Sequence, residues 1–171
     1  MSTRILILVP MLGSAMLISI SAAIDWPPVL IWNASASVPI GLYHVQPADH
    51  LAVADLVVVT PPEPVATFLA ERDYLPLGVP LLKQVIALPG QTVCRNHLAV
   101  MIDGVVMSFA RERDHLGRPL PAWQGCHMMA EGEVFLMNWQ SDDSLDGRYF
   151  GPLPAVSILG RAAPIWTFAE P

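Results

Sequence analysis

Two residues of this chain have the types that base-assisted nucleophilic chemistry needs. Ser37 stands two positions before Pro39 in Trp32-Asn33-Ala34-Ser35-Ala36-Ser37-Val38-Pro39-Ile40-Gly41-Leu42-Tyr43, a segment rich in small residues. A hydroxyl in such a segment can be presented on a constrained turn. Small residues and prolines make turns everywhere, so the pattern alone is a weak signal. A serine also needs a base to become a nucleophile at neutral pH. Lys83 is the one lysine among nine basic residues, and it lies in Leu81-Leu82-Lys83-Gln84-Val85-Ile86-Ala87-Leu88-Pro89-Gly90 with large aliphatics on both sides. An ordinary lysine titrates near about 10.4 and is protonated at neutral pH. Burial disfavours the ammonium, and buried lysines titrate as low as about 5–6. A fall of about 3 units corresponds to roughly 4 kcal/mol of differential desolvation. The plain alternative is a lysine at a strand edge with its head in water, which is the commoner arrangement.

The rest of the composition says where such a pair would work. The chain has 171 residues, 53% hydrophobic and only 14% charged, with a net charge of −6. That length suits one domain, or one domain plus an anchor. The negative balance argues against a nucleic-acid partner, which would need a basic surface. Ile5 to Ile24 reads ILILVPMLGSAMLISISAAI, twenty residues without a charge. At about 1.5 Å per residue, such a helix spans about 30 Å, the thickness of a bilayer core. Arg4 precedes the stretch and Asp25 follows it, so the positive-inside tendency puts the N-terminus in the cytoplasm. Pro10 is tolerable in a membrane helix.

The expectation is a membrane anchor over residues 1–25 and an exported domain over 26–171. The localisation that follows is single-pass in the inner membrane, with the catalytic domain outside the cytoplasm. A cleavable signal peptide is the rival, with Ser21-Ala22-Ala23 as small residues at a cleavage site. A buried core helix is the third reading, against which stands the absence of a single apolar stripe. The first two both export the remainder. In an oxidising compartment Cys94 and Cys126 are a plausible disulfide pair, and two buried thiols are the alternative. The five histidines show no ligand spacing, so no metal or cofactor is expected.

The exported part reads as mainly β. Short apolar runs at Leu56–Thr60, Leu81–Leu88, Ala99–Ile102, Val105–Met107, Gly132–Asn138 and Ile158–Phe168 are separated by Pro and Gly. Asp103-Gly104 between two of them predicts a tight hairpin. Pro64–Arg72 is the short helix candidate. Seventeen prolines suit turns and edge strands, not helical bundles. The expected architecture is one antiparallel β domain following a membrane helix.

At this point the residues carry a resemblance. The chain resembles the membrane-bound Ser–Lys type I signal peptidases, and in particular the TraF-type conjugative-transfer peptidases. Ser37-Val38-Pro39, followed by Gly41-Leu42-Tyr43, is similar to the shorter TraF form of the nucleophile motif. The run from Arg72 through Leu75-Pro76-Leu77-Gly78 to Leu81-Leu82-Lys83-Gln84-Val85 resembles the lead into the family's base lysine. Gly90-Gln91-Thr92-Val93-Cys94 follows as in that subfamily. Asp114 to Cys126, with Gly117-Arg118, Leu120-Pro121 and Trp123, is similar to its second-cysteine segment. Ser144-Leu145-Asp146-Gly147-Arg148-Tyr149-Phe150-Gly151-Pro152 resembles the last signal peptidase box.

The resemblance implies Ser37 as nucleophile and Lys83 as general base. It implies an oxyanion hole from the Ser37 backbone N–H and the Ser35 hydroxyl. Ser144 would orient the lysine amine, and Asp146 with Arg148 would form a supporting pair. Three positions depart from the pattern: Asn138-Trp139-Gln140 stands for Gly-Asp-Asn, Gly147 for Ser, and Gln91 for Asp. Asp142 or Asp143 would be the carboxylate to compensate. The implied substrate is a membrane-inserted precursor at the bilayer surface, such as a pilin with small residues at the scissile bond. Its acyl-enzyme goes to water or, with cyclisation, to a pilin amine. A general signal peptidase and a non-catalytic membrane-anchored β module are the competing readings.

Overall fold

The sheet that carries the site is built from the most β-branched part of the chain. The computed structural model describes the backbone of residues 3–23 and 28–168. In chain order its elements are α1 (Thr3–Ala23), β1 (Leu30–Asn33), β2 (Gly41–Gln46), β3 (Leu56–Val59), α2 (Glu63–Glu71), β4 (Leu81–Ala87) and β5 (Thr92–Asn96). Then come β6 (Ala99–Ile102), β7 (Val105–Phe109), β8 (Gly125–Met128), β9 (Glu133–Leu136), α3 (Gly147–Phe150), β10 (Leu153–Pro154) and β11 (Ile158–Thr167). The strands fall into two sheets. One has seven strands in the order β1-β2-β11-β3-β4-β9-β10, and the other has four in the order β7-β6-β5-β8. Pairing is antiparallel throughout.

Strand β3 lies near the middle of the larger sheet. Its three valines are fully buried, and they divide between two cores because successive side chains face opposite sides. Val58 packs with Val38, Tyr43, Val45 and Leu82 on one side. Val57 and Val59 pack with Val85, Val134, Leu136 and Leu153 on the other. A strand buried on both faces reads as a continuous apolar run, not as an alternating one. The smaller sheet closes a third core of Ile86, Val93, Val100, Ile102, Phe135 and Met137.

The hairpin predicted at Asp103-Gly104 joins β6 to β7. Both residues have positive φ, 49° and 83°, as a two-residue primed turn demands. The helix expected at Pro64–Arg72 is α2, which starts one residue earlier. Proline holds its Pro62 cap and its second position, Pro64, where a missing N–H costs nothing. The β domain was expected as one unit, and the second sheet is what the strand runs alone did not separate.

The apolar N-terminal stretch forms a helix, as expected. Helix α1 exists, with Pro10 inside it and Ile7, Leu12 and Leu17 exposed. Among the described residues, however, no helix is long and apolar enough to cross a membrane. Ile24, Asp25 and the boundary drawn at 25/26 lie outside the described residues.

Candidate active site

Ser37 sits in the loop that joins β1 to β2, and polar bonds from Asn33 shape that loop. Asn33 ends β1 opposite Gly41. Its buried side-chain amide faces the carbonyls of Ser35, Val38 and Pro39 at 2.7, 3.0 and 3.1 Å. Its Oδ1 accepts from the Ser35 backbone N–H at 3.2 Å and from the Ser35 hydroxyl at 3.0 Å. Tyr43 Oη donates to the Pro39 carbonyl at 2.6 Å, fixing the loop's far end. Gly41 is required there by space, because a Cβ would stand 2.2 Å from the Trp166 carbonyl oxygen of β11. The Ser37 hydroxyl is thereby held 3.3 Å from that of Ser35.

Lys83 is placed by a different means. It lies on β4 opposite Val57 of β3, well inside the larger sheet. Only 5% of its surface is exposed. Burial pulls its pKa down to about 8, the Asp146 carboxylate opposes that fall, and Arg148 adds to it. Its Nζ donates to Ser144 Oγ at 2.6 Å. The lysine is therefore neither at an edge nor in water.

Ser144 is in turn fixed by the buried pair expected from the sequence. Arg148 and Asp146 are fully buried and joined at 2.9 Å. Arg148 also donates to the carbonyls of Ser141 and Ser144 at 2.6 and 3.0 Å and to Ser108 Oγ at 3.2 Å. Asp146 caps α3 by accepting from the Arg148 backbone N–H, and it accepts from the Asn138 N–H at 3.1 Å. A buried ion pair is tolerable only when its remaining donors and acceptors are met, and here they are. The smaller sheet contributes as well: Arg95 of β5 donates to the Arg148 carbonyl at 2.6 Å. Cys94 of β5 and Cys126 of β8 face each other across the ladder and form a disulfide. The loop it closes is 32 residues, worth roughly 3–4 kcal/mol in the chain-entropy account.

The structure brings Ser37, Ser35, Asn33 and Lys83 to the lining of one cavity, with Leu75, Val79, Leu81 and Leu82 as apolar wall. No hydrogen bond joins Ser37 to Lys83 among the described residues. Catalytic hydrogen bonds commonly tighten only when substrate is bound. A hydroxyl and a buried amine with a lowered pKa, facing one cleft, have the chemistry for acyl transfer.

The departures from the family pattern now have physical reasons. Asn138 is fully buried and bridges both neighbours of the lysine. It donates to the Leu82 carbonyl at 3.0 Å and accepts from the Gln84 N–H at 3.1 Å. Gly147 has no room for a side chain, because a Cβ there would meet the Phe135 ring at 2.7 Å and the Leu136 carbonyl at 2.8 Å. Gln91 closes the turn after β4 by accepting from the Leu88 N–H and donating to Asp103. Asp142 and Asp143 do not stand in for a missing carboxylate. Both are exposed and paired with Arg111, and the carboxylate whose field reaches Lys83 is Asp146. Asn33 was missed as a site residue. Its only trace in the sequence is an asparagine at the end of a strand before a small-residue loop.

The family comparison assigns this scaffold to a class of peptidases. The chain belongs to the signal peptidase family, peptidase S26, whose profile matches residues 1–167. It is 40% identical over 147 residues to the probable conjugal transfer protein TraF of Sinorhizobium fredii, covering 80% of this chain and 77% of that protein. It is 30% identical over 165 residues to a plasmid transfer protein TraF of Escherichia coli, covering 91% and 92%. A probable signal peptidase I-1 of Synechocystis is 34% identical over 124 residues, covering 70% and 55%. A solved signal peptidase I of Enterococcus faecalis aligns with a TM-score of 0.39 and 19% identity, over 66% of this chain and 97% of that one.

Proposed function

We propose that this chain is a membrane-associated serine endopeptidase that matures a conjugative pilin precursor outside the cytoplasm, with Ser37 and Lys83 as its catalytic dyad. One observation carries the reading: the only lysine is buried, bound to Ser144, lowered to about 8, and faces the same cavity as Ser37. Ser37 Oγ attacks the scissile carbonyl and its proton passes to Lys83 Nζ. The oxyanion is met by the Ser37 N–H and by the Ser35 hydroxyl, whose proton turns to it from Asn33 Oδ1 as charge develops. Lys83 then returns the proton to the leaving amine. Water or another amine resolves the acyl-enzyme. Ser144 keeps the amine aimed at the cavity, and Asp146 with Arg148 holds Ser144.

The exposed apolar residues of α1 support association with the lipid bilayer, which puts the cleft near substrates that are themselves inserted. The similarity to TraF proteins over most of their length supports a transfer precursor as substrate. The likeness to the Synechocystis protein favours a second reading, general removal of signal peptides. The test is the mass of a pilin-type precursor incubated with the enzyme in vesicles. Ser37→Ala, Lys83→Ala and Lys83→Arg should each lower processing at least about 10³-fold, since arginine does not deprotonate. Processing by any of them at a tenth of the normal rate would overturn the dyad. Efficient cleavage of unrelated preproteins would favour the second reading.

A further inference from the structure

Ser37 lines a second cavity, on the side away from Lys83. Its other walls include Val38, Pro39, Leu56, Gln84, Gln140 and Ser141. Gln84 follows Lys83 on β4, so strand alternation sends its side chain to the opposite face, across from Leu56 of β3. Among the described residues, Gln84 Oε1 is the buried side-chain oxygen or nitrogen without a hydrogen-bond partner. A buried acceptor left unmet is costly, and such an atom in a native fold asks for an explanation.

The two cavities meet at the nucleophile, and they differ in kind. The one with Lys83 has a wall of leucine and valine, suited to small side chains. The other offers side-chain amides from Gln84 and Gln140 and the hydroxyl of Ser141, suited to the backbone of an extended peptide. A peptide whose scissile carbonyl lies at Ser37 must run out on both sides of that residue. We propose that the second cavity binds the leaving side of the substrate, and that Gln84 Oε1 accepts a hydrogen bond from a backbone N–H there. The inference rests on the dyad reading, and it deepens that reading by naming where the departing chain lies. The same groove receives whatever amine or water enters after the first product leaves.

The test is a cycle between enzyme and substrate. Wild type and Gln84→Met, equal in length but without the acceptor, are assayed on a precursor peptide. The peptide is then N-methylated in turn at the second, third and fourth residues beyond the scissile bond. One N-methyl group should lower kcat/KM about tenfold in wild type and by less than about twofold in Gln84→Met. Equal losses in both enzymes at every position would overturn the proposal. A separate measurement uses wild type alone, should Gln84→Met fold poorly. Peptides clipped to one residue past the scissile bond should be cut at least about tenfold more slowly than those with four, and equal rates would overturn the proposal. Failure of the underlying function reads differently, because then wild type cuts none of these peptides.

Discussion

Ser37 and Lys83 face one cavity but are held in place by opposite means. The serine lies on a hairpin loop whose shape comes from hydrogen bonds, chiefly those of Asn33 and Tyr43. The lysine lies on an inner strand whose neighbours are valines, and burial does most of the work. The contrast suits the tasks proposed for the two residues. A nucleophile must reach substrate, so its loop has to be open, and an open loop is fixed best by directional bonds. A lysine base must shed its proton near neutrality, so it has to be dry. Its bond to Ser144 aims it, and the Asp146 carboxylate offsets only part of the desolvation of its charge.

That contrast can be broken at its strongest point first. Arg148→Ala leaves Asp146 as an unpaired buried carboxylate, so it should lower stability by about 3–5 kcal/mol, measured by denaturant unfolding. Asn33→Ala should act on the other half. It should cost about 1–2 kcal/mol of stability and lower kcat/KM by more than tenfold, with the Lys83 titration unmoved. An Asn33→Ala enzyme of normal activity would show that the loop holds its shape without these bonds.

The pH profile reads the base directly. With Lys83 lowered to about 8, the deprotonated fraction rises roughly tenfold between pH 7 and pH 9. Precursor processing should follow that rise, and a flat profile would remove the lysine as base. Stability carries the same signature. Folded Lys83 loses its proton near 8 and the unfolded one near 10.5. Between those values the unfolded chain binds more protons, so stability rises with pH. Below about 8 both states are charged, and the full cost of the buried ammonium is present. Lys83→Met should therefore be inactive yet more stable at pH 7 by about 1 kcal/mol or more, seen as a higher Tm. Ser37→Ala should leave Tm within a degree or two. A lower Tm for Lys83→Met would mean that its bond to Ser144 outweighs desolvation.

The strands around Lys83 were legible because valine and leucine runs bounded by Pro and Gly have few other uses. The strands β1, β2, β5, β8 and β10 were not marked, being short and mixed in composition. Ser37 and Lys83 stood out by residue type, whereas Ser144, Asp146 and Arg148 read as a polar turn without the family resemblance. Asn33 and Asn138 escaped as site residues for one reason. Their partners are backbone groups brought near by folding, and backbone groups leave no letter in a sequence. The N-terminal segment is the reverse case. Its composition predicts a spanning helix over Ile5–Ile24, and α1 runs over Thr3–Ala23, yet among the described residues no helix is long and apolar enough to cross a membrane.

The close packing of Phe135 over Gly147 makes these two positions a single choice. A serine at 147 cannot be restored by itself, because the ring already fills the space its Cβ would take. A smaller residue 135 relieves the ring contact but leaves the Leu136 carbonyl at 2.8 Å, and it opens the core shared with Val93 and Met137. The local sequence of the last box is thus coupled to the hydrophobic interior of the smaller sheet. An engineer exchanging boxes between such enzymes has to move both positions together.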